Sequence, residues 1–168
     1  SAHSSVCGNG AAYYRVARFS GFQKRMQEVL LTAAHGLRRY SILTVEQFFN
    51  AHGRKLTGGD EILEGGRSQH ATVQSWRGML GGIDAAESGH YAIMSPTSHC
   101  YLDYPLDAID LKKVFEFDPI PESFTEEQKK FILGGEVNMW TEHVPDELDL
   151  DRKVFPRMMA MAEILWSG

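Results

Sequence analysis

Two carboxylates stand side by side at Asp60-Glu61, behind Gly58-Gly59 and ahead of Ile62-Leu63-Glu64-Gly65-Gly66. On a loop after a strand, neighbouring side chains point to opposite sides, so one carboxylate can orient a reacting group while the other donates a proton. An Asp-Glu pair after a turn is more often just solvated surface, and that reading is favoured on residue type alone. Two more acidic residues lie two positions beyond an aromatic ring, in Tyr101-Leu102-Asp103 and Trp140-Thr141-Glu142, and a third ring, Trp76, ends the run Ala71-Thr72-Val73-Gln74-Ser75-Trp76. Aromatic faces make rigid walls, and ionised carboxylates strengthen the hydrogen bonds they accept. A single Trp at a strand end is more often core or rim than ligand platform. His99 and His143 flank these motifs without a Cys or carboxylate at metal-ligand spacing, so they are expected to hydrogen-bond within loops, and no metal site is expected.

These residues need elements that carry them to one place. From about Phe22 to His52 the pattern is helical, with Leu37, Tyr40, Val45, Phe48 and Phe49 at short spacings, a break expected near Gly36 and a stop at Gly53. After it, short apolar runs alternate with helical segments. Strands are expected over 71–76, 91–95 and 131–137, with a weaker one over 55–58. Helices are expected over 79–88, 108–115, 126–130 and, as one amphipathic piece, 151–166, where Trp166 and the nearby Met158, Met159 and Met161 read as core. Alternating βα units imply a parallel sheet, and ligands bind at the carboxyl ends of its strands. That places function at Trp76, after Ser95 and after Val137. Tyr104 and Pro105 read as packing and turn residues.

Composition excludes several classes. The 168 residues are 43% hydrophobic and 23% charged, as in a soluble globular domain. A net charge of −5 with scattered basic residues leaves no electrostatic footprint for nucleic acid or an anionic membrane. No apolar run approaches the ~20 residues of a membrane span, and SAHSSVCGNG has neither the basic nor the apolar part of a signal peptide. Cys7 and Cys100 imply neither a zinc site nor a disulfide framework. No glycine-rich phosphate loop is present.

Taken together, ATVQSWRG (71–78), MSPTSHCYLDYP (94–105) and ILGGEVNMWTEHVP (132–145) resemble, in order and spacing, the last four βα units of glycoside hydrolase family 20, the β-N-acetylhexosaminidases, a (β/α)8-barrel family. DEILEGG and RKVFPRMMAMAEILWS match the same region, and RMQEV and VEQFFNAHGRKL resemble the helix after the fourth strand. The likeness covers residues 25–168. It implies an α/β fold, a partial TIM barrel holding about four C-terminal βα units (strands five to eight) over residues 22–168, after an irregular lead-in over 1–21.

The resemblance also implies a function: retaining, exo-acting hydrolysis of terminal N-acetylhexosamine from glycans or chitin oligosaccharides, in which the acetamido oxygen itself attacks the anomeric carbon. Trp76 and Trp140 would line the acetamido box, the Tyr101 hydroxyl would donate to the acetamido oxygen, and Asp103 and Glu142 would bind sugar hydroxyls, O4 and O6. The family's catalytic pair lies in an HxGGDE motif after the fourth strand, expected here before residue 1 or within a scrambled lead-in, where no such motif is present. Asp60 and Glu61 follow the fifth strand instead, where the family reads GWDEILEGG, so they are not expected to be that pair, and Gly59 replaces a tryptophan wall. The missing N-terminal half of the barrel is the implied partner. No cofactor, nucleic acid or membrane is implied, and the compartment of the family is secreted, periplasmic or lysosomal. The alternative is a non-catalytic, sugar-binding half-barrel.

Overall fold

The computed structural model describes residues 20–28, 34–64 and 70–167. Residues 1–19 of the expected lead-in lie outside them, while Ser20 and Gly21 open a helix. The chain divides into two compact units between Val73 and Gln74.

The first unit holds α1 (Ser20–Glu28), α2 (Ala34–Ala51), β1 (Thr57–Gly59) and α3 (Glu61–Glu64). Two helical pieces are found, as expected; α2 runs through Gly36 itself, and residues 29–33, between α1 and α2, lie outside the described residues. One glycine in a helix interior costs only about 1 kcal/mol, which a helix of this length absorbs. The stop at Gly53 is where it was expected. Gly53 takes a φ of +66°, its N–H donates to Asn50 O at 3.1 Å, and Arg54 N donates to Phe49 O at 2.9 Å, the paired bonds of a Schellman end. Thr72 N donates to Leu56 O at 2.9 Å, which joins the chain entering β1 to β2 (Thr72–Ser75).

The second unit begins within β2 and continues through α4 (Leu80–Glu87), β3 (Ala92–Met94), α5 (Thr97–Cys100), α6 (Leu111–Phe115), α7 (Glu126–Lys129), β4 (Ile132–Gly135), a 3-10 turn (Thr141–His143), α8 (Glu147–Val154) and α9 (Arg157–Ser167). The strands form one parallel sheet in the order β1-β2-β3-β4. Ser95 N donates to Ser75 O at 2.9 Å, and β3 pairs with β4 through Ala92 opposite Ile132 and Met94 opposite Gly135, with a register shift between them. Strand bounds fall within about two residues of expectation, the usual uncertainty of element ends.

Alternation then decides which side chains face inward. The Gly82 N–H donates to Ser75 Oγ at 2.9 Å, so Ser75 faces α4, and Gln74 faces the other side of the sheet. The core on the helix side contains Met94, Val114, Phe117 and Met161, all buried.

Two expectations about the C-terminus are corrected. The single helix over 151–166 is two, α8 and α9, because Pro156 has no N–H to donate and holds Phe155 extended at φ −101° and ψ 136°. Trp166 is not core but 91% exposed, and Met158 and Met159 are exposed too. α9 buries Arg157 and Met161. At ~100° per residue, Trp166, nine positions beyond Arg157, lies on the opposite face.

Candidate functional site

In a parallel sheet the carboxyl ends of β2, β3 and β4 open at one edge, and each leads into a segment bearing expected site residues. Trp76 follows β2 directly. Its carbonyl accepts from Thr97 N at 2.9 Å, tying the exits of β2 and β3 together, and its half-buried ring lies 5.4 Å from the Arg77 guanidinium carbon. After β3, the chain turns through α5 and returns to ladder geometry at Tyr101, which bridges in parallel to Asn138. Asn138 N donates to Cys100 O at 2.7 Å and Leu102 N donates to Asn138 O at 2.8 Å. The segments Tyr101–Asp103 and Asn138–Trp140 are thereby laid side by side. Tyr101 and Asp103 are buried, while Trp140 is 44% exposed and Glu142, in the 3-10 turn, is exposed.

Near the carboxyl ends of β2, β3 and β4 lies a polar cluster that sequence reasoning missed, in which Gln74 and Ser95 are buried and Glu136 is exposed. Gln74 Nε2 donates to Glu136 Oε1 at 2.6 Å, Ser95 Oγ donates to Glu136 O at 2.9 Å, and Asn138 Nδ2 donates to Ser95 Oγ at 2.5 Å. Barrel interiors are normally filled by branched apolar side chains, and polar groups there cost free energy unless bonded. The available signals were Gln74 in the apolar run ATVQSW and Glu136 in ILGGEV.

Although Glu136 is exposed, partial loss of water raises its carboxyl from the ordinary value, against the opposing effect of the Gln74 bond. Burial, helped by the Glu136 charge, pushes the Cys100 thiol up to about 12. His99 is held below its usual value by burial and then by Lys113, with Glu116 opposing. His99 lies in α5 and not in a loop, and its Nδ1 hydrogen-bonds Ser98 Oγ at 2.8 Å. His143 is exposed, and its carbonyl accepts from Lys153 Nζ. Asp103 is 2% exposed, and among the described residues its Oδ1 has no hydrogen-bond partner. Asp60 and Glu61 fall in the first unit, at 6% and 5% exposure, so the solvated-surface reading of that pair is corrected. The turn into α3, closed by Leu63 N donating to Asp60 O at 3.0 Å, folds them inward. Among the described residues no group of three His, Cys, Asp or Glu side chains could hold a metal ion, and no helix is long and apolar enough to cross a membrane.

The model of the glycosyl hydrolase family 20 catalytic domain matches residues 15–168, nearly the whole chain. The chain belongs to glycosyl hydrolase family 20. It is 36% identical over 157 residues to a beta-hexosaminidase of Porphyromonas gingivalis, covering 86% of this chain and 20% of that protein. Among solved structures, the Flavobacterium johnsoniae chitobiase superposes with a TM-score of 0.78 at 28% identity, over 97% of this chain and 25% of that one. A mutant Streptomyces plicatus beta-hexosaminidase, solved in complex with the product GlcNAc, superposes with a TM-score of 0.61 at 25% identity, over 73% and 28%. The chain therefore spans between 20% and 28% of the length of these relatives, and its α/β fold is part of the family's barrel.

Proposed function

We propose that this chain supplies the sugar-binding wall of a β-N-acetylhexosaminidase that removes terminal N-acetylhexosamine from glycans or chitin oligosaccharides by a retaining, substrate-assisted route. The observation that carries the reading is Asp103. A buried carboxylate oxygen without a donor costs about 1–3 kcal/mol, and a sugar hydroxyl at the carboxyl edge of the sheet supplies that donor. Tyr101, held beside it by the Asn138 ladder, donates to the acetamido oxygen and aligns it for attack on the anomeric carbon. Trp76 and Trp140 enclose the acetamido group, and Glu142, on its exposed turn, takes a further hydroxyl.

None of these five side chains protonates the leaving oxygen. The reading assigns that proton to an acid outside residues 1–168, and the burial of Asp60 and Glu61 supports giving them a structural role. Gly59 in place of the family tryptophan favours the second reading, a sugar-binding barrel without turnover.

An aryl N-acetyl-β-glucosaminide separates these readings. The 168-residue chain is expected to be inert, whereas a protein extended upstream through an HxGGDE motif cleaves it, and Asp103→Asn in that protein lowers kcat/KM by roughly 10- to 100-fold. Binding without turnover in the extended protein would favour the second reading. Turnover by the short chain that Glu61→Gln abolishes would make Asp60-Glu61 the catalytic pair.

A further inference from the structure

Arg157 opens α9, far in sequence from the sugar-binding segments, yet it is 1% exposed and its guanidinium is turned onto them. Nη2 donates to Leu102 O at 2.5 Å, Nη1 donates to Ile109 O at 2.6 Å, and Nε donates to Lys153 O at 2.8 Å. Leu102 stands between Tyr101 and Asp103. Leu102 and Ile109 are buried and bracket a stretch, Tyr104 to Ala108, that is exposed throughout. One planar fork therefore fixes both ends of the loop that starts at Asp103. At its far end Asp110 caps α6, accepting from Lys113 N at 2.7 Å, so the loop is anchored to α6 as well as to α9.

The charges add a second constraint. A buried guanidinium ordinarily takes a carboxylate as its hydrogen-bond partner, because an isolated buried charge is costly. Here Nε, Nη1 and Nη2 all donate to backbone carbonyls, one of them the carbonyl next to Asp103. Asp103, next in sequence to the pinned Leu102, keeps its Oδ1 without a donor among the described residues. A direct fork-to-carboxylate pair would have consumed that acceptor.

Building on the reading of Asp103 as a sugar ligand, we propose that Arg157 is a positioning residue for substrate. It pins the backbone on both sides of Asp103 and so holds the buried carboxylate with an open acceptor for a sugar hydroxyl. Lysine cannot replace it, since a single ammonium does not span two carbonyls in fork geometry.

The test uses the upstream-extended protein, with Arg157→Lys and Arg157→Met, assayed on an aryl N-acetyl-β-glucosaminide and on its 4-deoxy and 6-deoxy analogues. Asp103→Asn first shows which hydroxyl Asp103 binds: on the analogue lacking it, that variant costs little. On the parent substrate Arg157→Lys is expected to lose about tenfold or more in kcat/KM, chiefly through KM, and on the selected analogue less than about threefold. Arg157→Met should follow the same pattern more strongly; if it does not fold, the lysine variant carries the test. Equal losses on all three substrates, or a fall in thermal stability with kinetics per folded molecule unchanged, would overturn the proposal and leave Arg157 a purely structural residue. A wild-type extended protein that neither binds nor cleaves the sugar overturns the reading beneath it, and the proposal with it.

Discussion

Gln74 and Glu136 meet through a 2.6 Å hydrogen bond although 62 residues separate them, so the ends of β2 and β4 are joined over the strand between them. Gln74 stands two positions before Trp76, and Glu136 four before Trp140. The bond thus sets the spacing of the two elements that lead to the proposed walls.

It also makes a pH prediction. The Glu136 carboxyl is raised above 4.5, first by loss of water and in spite of the Gln74 bond. The folded state therefore binds this proton more tightly than the unfolded chain does. The stability it contributes is complete below 4.5 and is lost as pH rises through the raised value. Glu136→Gln keeps an acceptor for Gln74 but cannot ionise. The melting temperature of Glu136→Gln minus that of the wild type should climb across this window and level off above it; a flat difference would place the Glu136 carboxyl in ordinary solvent.

A second prediction concerns how α4 sits on the sheet. A Cβ at Gly82 would stand 2.2 Å from Met94 Sδ and 3.3 Å from Ser75 Cβ. Met94 is fully buried, so moving its thioether aside disturbs packed neighbours. Gly82→Ala should destabilise by about 1–3 kcal/mol in denaturant unfolding. Combined with Met94→Val, the total loss should be smaller than the sum of the two single losses, because the shortened side chain vacates the clash. Strict additivity would show that α4 shifts away instead.

How legible the molecule is follows from the range of each interaction. β2, β3 and β4 are short apolar runs between turn signals, so pattern suffices to find the strands; Trp76 follows β2 directly, whereas Tyr101, Asp103, Trp140 and Glu142 lie farther past β3 and β4 and are singled out by the family resemblance. Arg157 and the Gln74–Glu136 pair are different. Leu102 and Arg157 are 55 residues apart, and nothing local in RKVFPRMM shows that this arginine turns inward and not to solvent. The apolar periodicity of 151–166 also conceals the helix break that Pro156 makes. Trp166 misled because a large apolar ring says how much surface it could bury, not which face of its helix has a neighbour.

The last prediction follows from Ser95, fully buried at the exit of β3. Its hydroxyl donates to Glu136 O at 2.9 Å and accepts from Asn138 Nδ2 at 2.5 Å, and Asn138 in turn holds the ladder to Cys100 and Leu102. Ser95→Ala removes only one oxygen, so no cavity of consequence forms and the cost comes from two polar groups left without that partner, about 1–3 kcal/mol. The strand that brings Tyr101 and Asp103 beside Trp140 then loses its side-chain brace while its backbone bonds remain. In the upstream-extended protein, Ser95→Ala should stay folded at 25 °C with a lowered melting temperature and a KM raised about three- to tenfold. Ser95→Thr, which restores the hydroxyl at the cost of an extra methyl, should recover part of the KM. Unchanged KM in Ser95→Ala would mean that the backbone ladder alone positions the sugar-binding segments.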